Sequence, residues 1–256
     1  MNFDYNMFLN RDLESYIDYE INWIKHPLLF QPLFGQLNEK IEQEGAINYV
    51  KMYESILKKY KVNTFADFYN SLIDYKKNQV LEYQKNIDEK WGNIFMLLHT
   101  STLLEYLYVT KDLFHLEKNY FEALSQAFTM NEFPTKNIEN KKLRSLFLHF
   151  PNPRLMMDNE EKYKLSKFKK TIKIYRGLNI NKGSKLNSVE LGFSYTTKKN
   201  QAKWFANRWS TLSTKKYLIQ AEISKENIIC FLSSRGENEI VALPENLKNI
   251  KYTLLK

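Results

Sequence analysis

Apolar residues recur every three to four positions through the first 150 residues; past Lys173 they give way to short runs rich in β-branched and aromatic side chains. The first texture belongs to amphipathic helices and the second to strands, so the chain reads as a helical front followed by a sheet-bearing back. Leu13, Tyr16, Ile17, Ile21 and Ile24 follow an N-cap candidate, Asn10, and Tyr49, Val50, Tyr53, Ile56 and Leu57 repeat the spacing. Thr64 and Asp67 resemble a capping box ahead of Phe65, Phe68, Tyr69 and Leu72. A longer apolar stretch runs through Trp91, Ile94, Phe95, Leu98, Leu104 and Leu107, and shorter helices are expected at 121–128 and 143–150, before Pro151 and Pro153 break the pattern. Beyond the basic segment 162–173, strands are expected at 173–177, 217–223, 228–232 and 239–243. A helix is expected at 200–209, with Ala202, Phe205, Ala206 and Trp209 on one face. The fold class expected is α+β.

A chain of 256 residues, 43% hydrophobic, can bury a sizeable core, and 15% aromatics with only 7 Gly and 6 Pro exclude disordered and low-complexity classes. No apolar run approaches the roughly 20 residues that cross a bilayer, and the opening residues lack a basic segment followed by an apolar one, so a cytoplasmic protein with no membrane contact is expected. The single cysteine, Cys230, rules out an intramolecular disulfide and speaks against a thiolate zinc site. His26, His99, His115 and His149 show no metal-ligand spacing, and no metal is implied. The formal net charge of +9 lies wholly in residues 171–256, where 15 basic side chains face 6 acidic ones. Such a field concentrates polyanions, whether nucleic acid, a dinucleotide or an acidic partner protein.

Three short pieces of the back half carry the chemistry: Tyr175-Arg176-Gly177 at a strand end, Gly192-Phe193-Ser194-Tyr195-Thr196-Thr197 before a helix, and Arg235-Gly236-Glu237-Asn238-Glu239 opening the last strong strand. In this order and setting they resemble the R-S-E signature of ADP-ribosyltransferases, the clade that includes arginine-modifying bacterial toxins. The segment 192–206 is similar to the strand-into-helix unit of that family. The resemblance covers roughly residues 172–250. It implies a small split β-sheet core at 161–256, preceded by a helical region at 1–160 that serves as an N-terminal lobe or binds a regulator or antitoxin.

The resemblance also implies NAD as substrate. Breaking the nicotinamide–ribose bond places positive charge on the ribose ring, as in glycoside hydrolysis, and a nearby carboxylate stabilises it. Glu239 is the candidate. Strand alternation would put Glu237 on the same face, where it could orient or deprotonate the nucleophile. Arg176 offers a planar guanidinium for a phosphate or ribose oxygen, and Ser194 would hold Glu239 by a hydrogen bond. Backbone groups at Gly177 would grip the nicotinamide amide. The implied NAD-contacting set is Arg176, Gly177, Ser194, Tyr195, Thr196 and Phe205. Many relatives read Ser-Thr-Ser where this chain reads Ser194-Tyr195-Thr196-Thr197, so either Ser194 or Tyr195 can be the first member; Ser194 is preferred because its short stem leaves room for nicotinamide.

By the same resemblance, two acids in the form Glu237-x-Glu239 imply a guanidinium or a similarly demanding acceptor nitrogen. A protein arginine and a nucleobase both qualify, and the basic charge of the back half favours nucleic acid. Trp209, Tyr195 or Phe231 could stack an unpaired base. Ser233, Ser234 and Arg235 fall where the family's acceptor-recognition loop lies. The chain is thus expected to be a toxin-like or phage-defence effector. The alternative of another class is an inactive, transferase-like module that binds nucleic acid or protein.

Overall fold

The computed structural model describes residues 77–98, 100–131, 138–183, 191–208, 210, 211, 213–233 and 236–255. The helices expected before residue 74, and Trp209, Ser234 and Arg235, lie outside the described residues. The chain divides into two compact units, residues 1–103 and 104–256. The boundary expected near residue 160 falls inside the second.

In the first unit residues 77–84 are helical, and α1 (Ile87–Leu97) follows. Asp88 and Glu89 complement the positive end of the α1 dipole, while Ile87, Ile94 and Phe95 form its buried stripe. Trp91 meets Phe95 edge to face at 5.3 Å.

The second unit opens within α2 (Leu103–Thr110) and continues with α3 (Glu117–Met130), α4 (Asn140–Phe147) and α5 (Asn159–Ser166). The longer apolar stretch of the sequence is therefore two helices, α1 and α2. On α3, Tyr120, Phe121, Ala123, Leu124, Ala127 and Phe128 are buried, the helical spacing that made 121–128 legible. Leu143, Leu146 and Phe147 make the same stripe on α4. Phe128 packs on Phe147 at 5.5 Å, and Phe147 on Phe193 at 5.7 Å, which ties the helices to the residue just ahead of Ser194. The basic segment 162–173 hides α5, whose buried residues are only Glu161 and Leu165. Its start is nevertheless written in a capping box: Asp158 accepts from the Glu161 N–H, and the Glu161 carboxylate accepts from the Asp158 N–H.

Six strands follow: β1 (Thr171–Asn181), β2 (Ser194–Thr196), β3 (Thr214–Ser224), β4 (Ile228–Leu232), β5 (Glu239–Ala242) and β6 (Lys248–Leu255). They form one antiparallel sheet in the order β4-β5-β2-β1-β3-β6. β1 and β3 pair along eleven residues, from Thr171↔Ser224 to Asn181↔Thr214. By contrast β1 and β2 share one pair, Tyr175↔Thr196. The sheet is thus two three-stranded halves, β4-β5-β2 and β1-β3-β6, joined at a narrow seam. All of β4 and β5 is buried. β6 was not anticipated, because it is an edge strand exposed on most of its length and carries no inside–outside alternation. Helix α6 (Lys199–Arg208) leaves β2 and packs across β1, burying Ala202 and Ala206. That approach depends on Gly177, where a β-carbon would stand 2.0 Å from the Ala202 carbonyl oxygen and 2.5 Å from the Ala206 nitrogen.

Candidate active site

The seam carries the three motif pieces. β1 delivers Arg176, β2 delivers Ser194 from the other side, and β5 pairs with β2 so that Thr196 lies opposite Glu239 and Ser194 opposite Val241. Partners in an antiparallel pair share a face, so Ser194, Thr196 and Glu239 all project from one side of the sheet, with Ser194 and Glu239 diagonal neighbours. The Ser194 hydroxyl donates to Glu239 Oε1. Across the seam, Arg176 Nη1 donates to the Ser194 carbonyl at 2.6 Å. One serine therefore receives the guanidinium on its backbone and holds the carboxylate with its side chain, joining residues 18 and 45 positions away.

Arg176 sits in a tight cradle. Its guanidinium lies against Gly192, where a β-carbon would come within 2.6 Å of Nη2, and 5.9 Å from the Tyr195 ring. Its Nε is shielded from solvent and meets no acceptor among the described residues. Burial holds this guanidinium below its ordinary value, against the opposing pull of Tyr195 and Glu239. An arginine stays charged even so, and its unmatched N–H is a directed donor at the seam.

Glu239 is 7% exposed, which makes it a buried carboxylate held by a short-stemmed hydroxyl. Glu237 stands differently from the expectation. β5 begins at Glu239, and Gly236 (φ 72°) and Asn238 (φ 49°) adopt left-handed backbone, so Glu237 lies in a turn to which strand alternation does not apply. It is half-buried, and its carbonyl accepts from Thr196 Oγ1 at 2.8 Å.

The other expected contacts distribute unevenly. Thr196 Oγ1 donates to Glu237 and accepts from the Lys198 N–H at 3.1 Å, so this hydroxyl positions the turn ahead of Glu239. Tyr195 is 2% exposed on the opposite face, and its hydroxyl donates to the Gly192 carbonyl at 2.8 Å. Burial pushes this phenol up to about 12, against the pull of Arg176. Tyr195 is not a surface on which a base can stack, and neither is Phe231, also 2% exposed, because both fill the interior. Gly177 turns its α-carbon toward α6, so the helix, not a ligand, is what approaches it there. Phe205 is half-buried on α6, edge to face with Trp204 at 5.0 Å. Ser233 is anchored: its N–H donates to Glu161 Oε1 at 2.6 Å and its hydroxyl accepts from Lys164 Nζ at 3.3 Å.

Two contributors had no role assigned from sequence. Gly192 opens the serine motif piece without a role of its own there, and Glu161 is recoverable only from the Asp158-x-x-Glu161 spacing. Among the described residues no three His, Cys, Asp or Glu side chains gather as a metal site would require, and no helix is long and apolar enough to cross a membrane. Compared with known proteins, the chain matches no family model, no curated protein and no solved structure.

Proposed function

We propose that this protein is an NAD-dependent mono-ADP-ribosyltransferase that modifies a macromolecular acceptor. The observation that carries the reading is the convergence of Arg176 and Glu239 on Ser194, from three strands, at the seam of the sheet. The parting of the sheet into two three-stranded halves supports the split-sheet core that the motifs imply.

In this mechanism the bond between nicotinamide nitrogen and ribose C1 breaks, nicotinamide leaves with the bonding pair, and positive charge spreads over the ribose ring. Glu239, pre-oriented by Ser194, faces that charge and accepts from a ribose hydroxyl. Arg176, whose positive charge lies near Glu239, supplies the field that favours a phosphate or ribose oxygen of NAD at the seam. The acceptor nitrogen or oxygen then bonds to ribose C1, and Glu237 takes its proton from the turn before β5. The Glu237-Asn238-Glu239 spacing is compatible with a protein arginine as well as a nucleobase.

Nicotinamide release from NAD by the wild-type protein and by Glu239→Gln tests the reading. The substitution keeps shape and removes charge, and a loss of about a hundredfold or more is expected. Equal rates, or no release by the wild type with protein, RNA and DNA acceptors supplied in turn, would overturn it.

A further inference from the structure

Helix α6 turns a second surface outward. Trp204 on it is 49% exposed, with the Arg208 guanidinium 5.1 Å from its ring centre. Beside it lies an open depression of about 510 Å³ lined by Lys198, Lys199, Asn200, Gln201 and Trp204. Lys199 and Lys203 are exposed on the same helix. From residue 191 to residue 221 the chain carries six basic residues and no Asp or Glu, so the positive field here has no acidic neighbour within the segment to offset it. The depression also adjoins the candidate active site: Lys198 Nζ donates to the Gly236 carbonyl at 3.4 Å, and its N–H to Thr196 Oγ1, at the turn that precedes Glu239.

We infer that this face of α6 docks single-stranded nucleic acid, which makes nucleic acid the acceptor class of the reaction proposed above and so rests on that reading. Phosphates are met by Lys198, Lys199 and Lys203, and an unpaired base stacks on Trp204. An exposed indole suits a single strand, because bases in a duplex keep their faces stacked on one another. A strand held in the depression runs directly past the turn carrying Glu237.

The experiment measures fluorescence anisotropy of labelled 12-nucleotide single-stranded RNA and DNA with the full-length protein, its Trp204→Ala variant and its Lys199→Glu/Lys203→Glu variant. Binding of either single strand is expected, with a log–log salt slope of about 2 from three phosphate contacts. Trp204→Ala should weaken binding about tenfold, the double charge reversal should abolish most of it, and a duplex of the same sequence should bind more weakly. Circular dichroism confirms that both variants are folded. No binding by the wild type, unchanged affinity in both folded variants, or equal competition by poly-glutamate, which would assign the surface to an acidic protein, each overturns the inference. Nicotinamide release by the wild type, measured with and without oligonucleotide, keeps the two readings apart. Release without oligonucleotide binding removes only the docking surface; binding with no release under either condition removes the catalytic assignment and the acceptor role that rests on it, and leaves the docking surface standing.

Discussion

Gly192 lies where any side chain would collide with Arg176: a β-carbon there would stand 2.6 to 2.9 Å from three guanidinium atoms. Gly177, one residue after that arginine, is equally closed to a β-carbon, but its neighbours are the backbone atoms of α6. The two glycines therefore fail differently. Gly177→Ala must push a helix off the sheet and should cost about 3 kcal/mol or more of stability by urea unfolding. Gly192→Ala meets the end of a side chain that can swing away from the Ser194 carbonyl. It should cost about 1 kcal/mol, near the net worth of one hydrogen bond, while nicotinamide release falls at least tenfold. A Gly192→Ala protein with wild-type release would show that the guanidinium position is immaterial to catalysis.

Glu161 clasps two places at once, the N-cap of α5 through Asp158 and the end of β4 through Ser233. Ser233 begins the connection that leads to Glu237 and Glu239. Glu161→Ala leaves the half-buried Ser233 N–H without its charged acceptor and should lower stability by about 2 kcal/mol, with reduced nicotinamide release. Glu161→Gln keeps one carbonyl acceptor and should recover part of both. Urea midpoints and release rates for the pair check this, and an alanine variant as stable and active as wild type would refute it.

Acid should weaken the fold through His149. Burial lowers its imidazole from the ordinary value, Lys111 adds to the shift, and Asp112 and the hydrogen bond to the Lys111 carbonyl oppose it. The folded state therefore binds this proton less readily than the unfolded chain, whose histidine titrates near about 6.5. As pH drops through that value the unfolded chain takes up the proton first, and stability is lost. Unfolding free energies at pH 7.5 and 5.5 should differ less in His149→Gln than in the wild type; identical differences would contradict the assignment.

The lone cysteine should be silent in the native protein. Cys230 is fully buried in β4, and burial pushes its thiol well up, with Glu239 and Glu161 adding in the same direction. Ellman's reagent should react with it only in denaturant. Prompt reaction at neutral pH without denaturant would mean that β4 opens readily.

Where the sequence was informative, the cause was local. The stripes of α3 and α4 follow one period, and the β-branched run at 228–232 coincides with β4 because every residue of it is buried and bounded by turn residues. The order Arg176, Ser194, Glu239 was picked out by resemblance, and the structure sets these three residues on β1, β2 and β5, which are neighbours in the sheet. What escaped depends on distant partners. Nothing local announces that Gly192 makes room for Arg176, or that Tyr195 is swallowed by the interior while Trp204 is left out. Period-two reasoning does not reach Glu237, because two left-handed residues, Gly236 and Asn238, interrupt the alternation on which it depends.

The lone Tyr175↔Thr196 pair has a mechanical corollary. Arg176 belongs to one half of the sheet and Ser194 with Glu239 to the other, so a slight pivot about that pair changes the distance between guanidinium and carboxylate while leaving each half intact. A dinucleotide bridging the two would act as a splint, and its affinity would be felt as rigidity across all six strands.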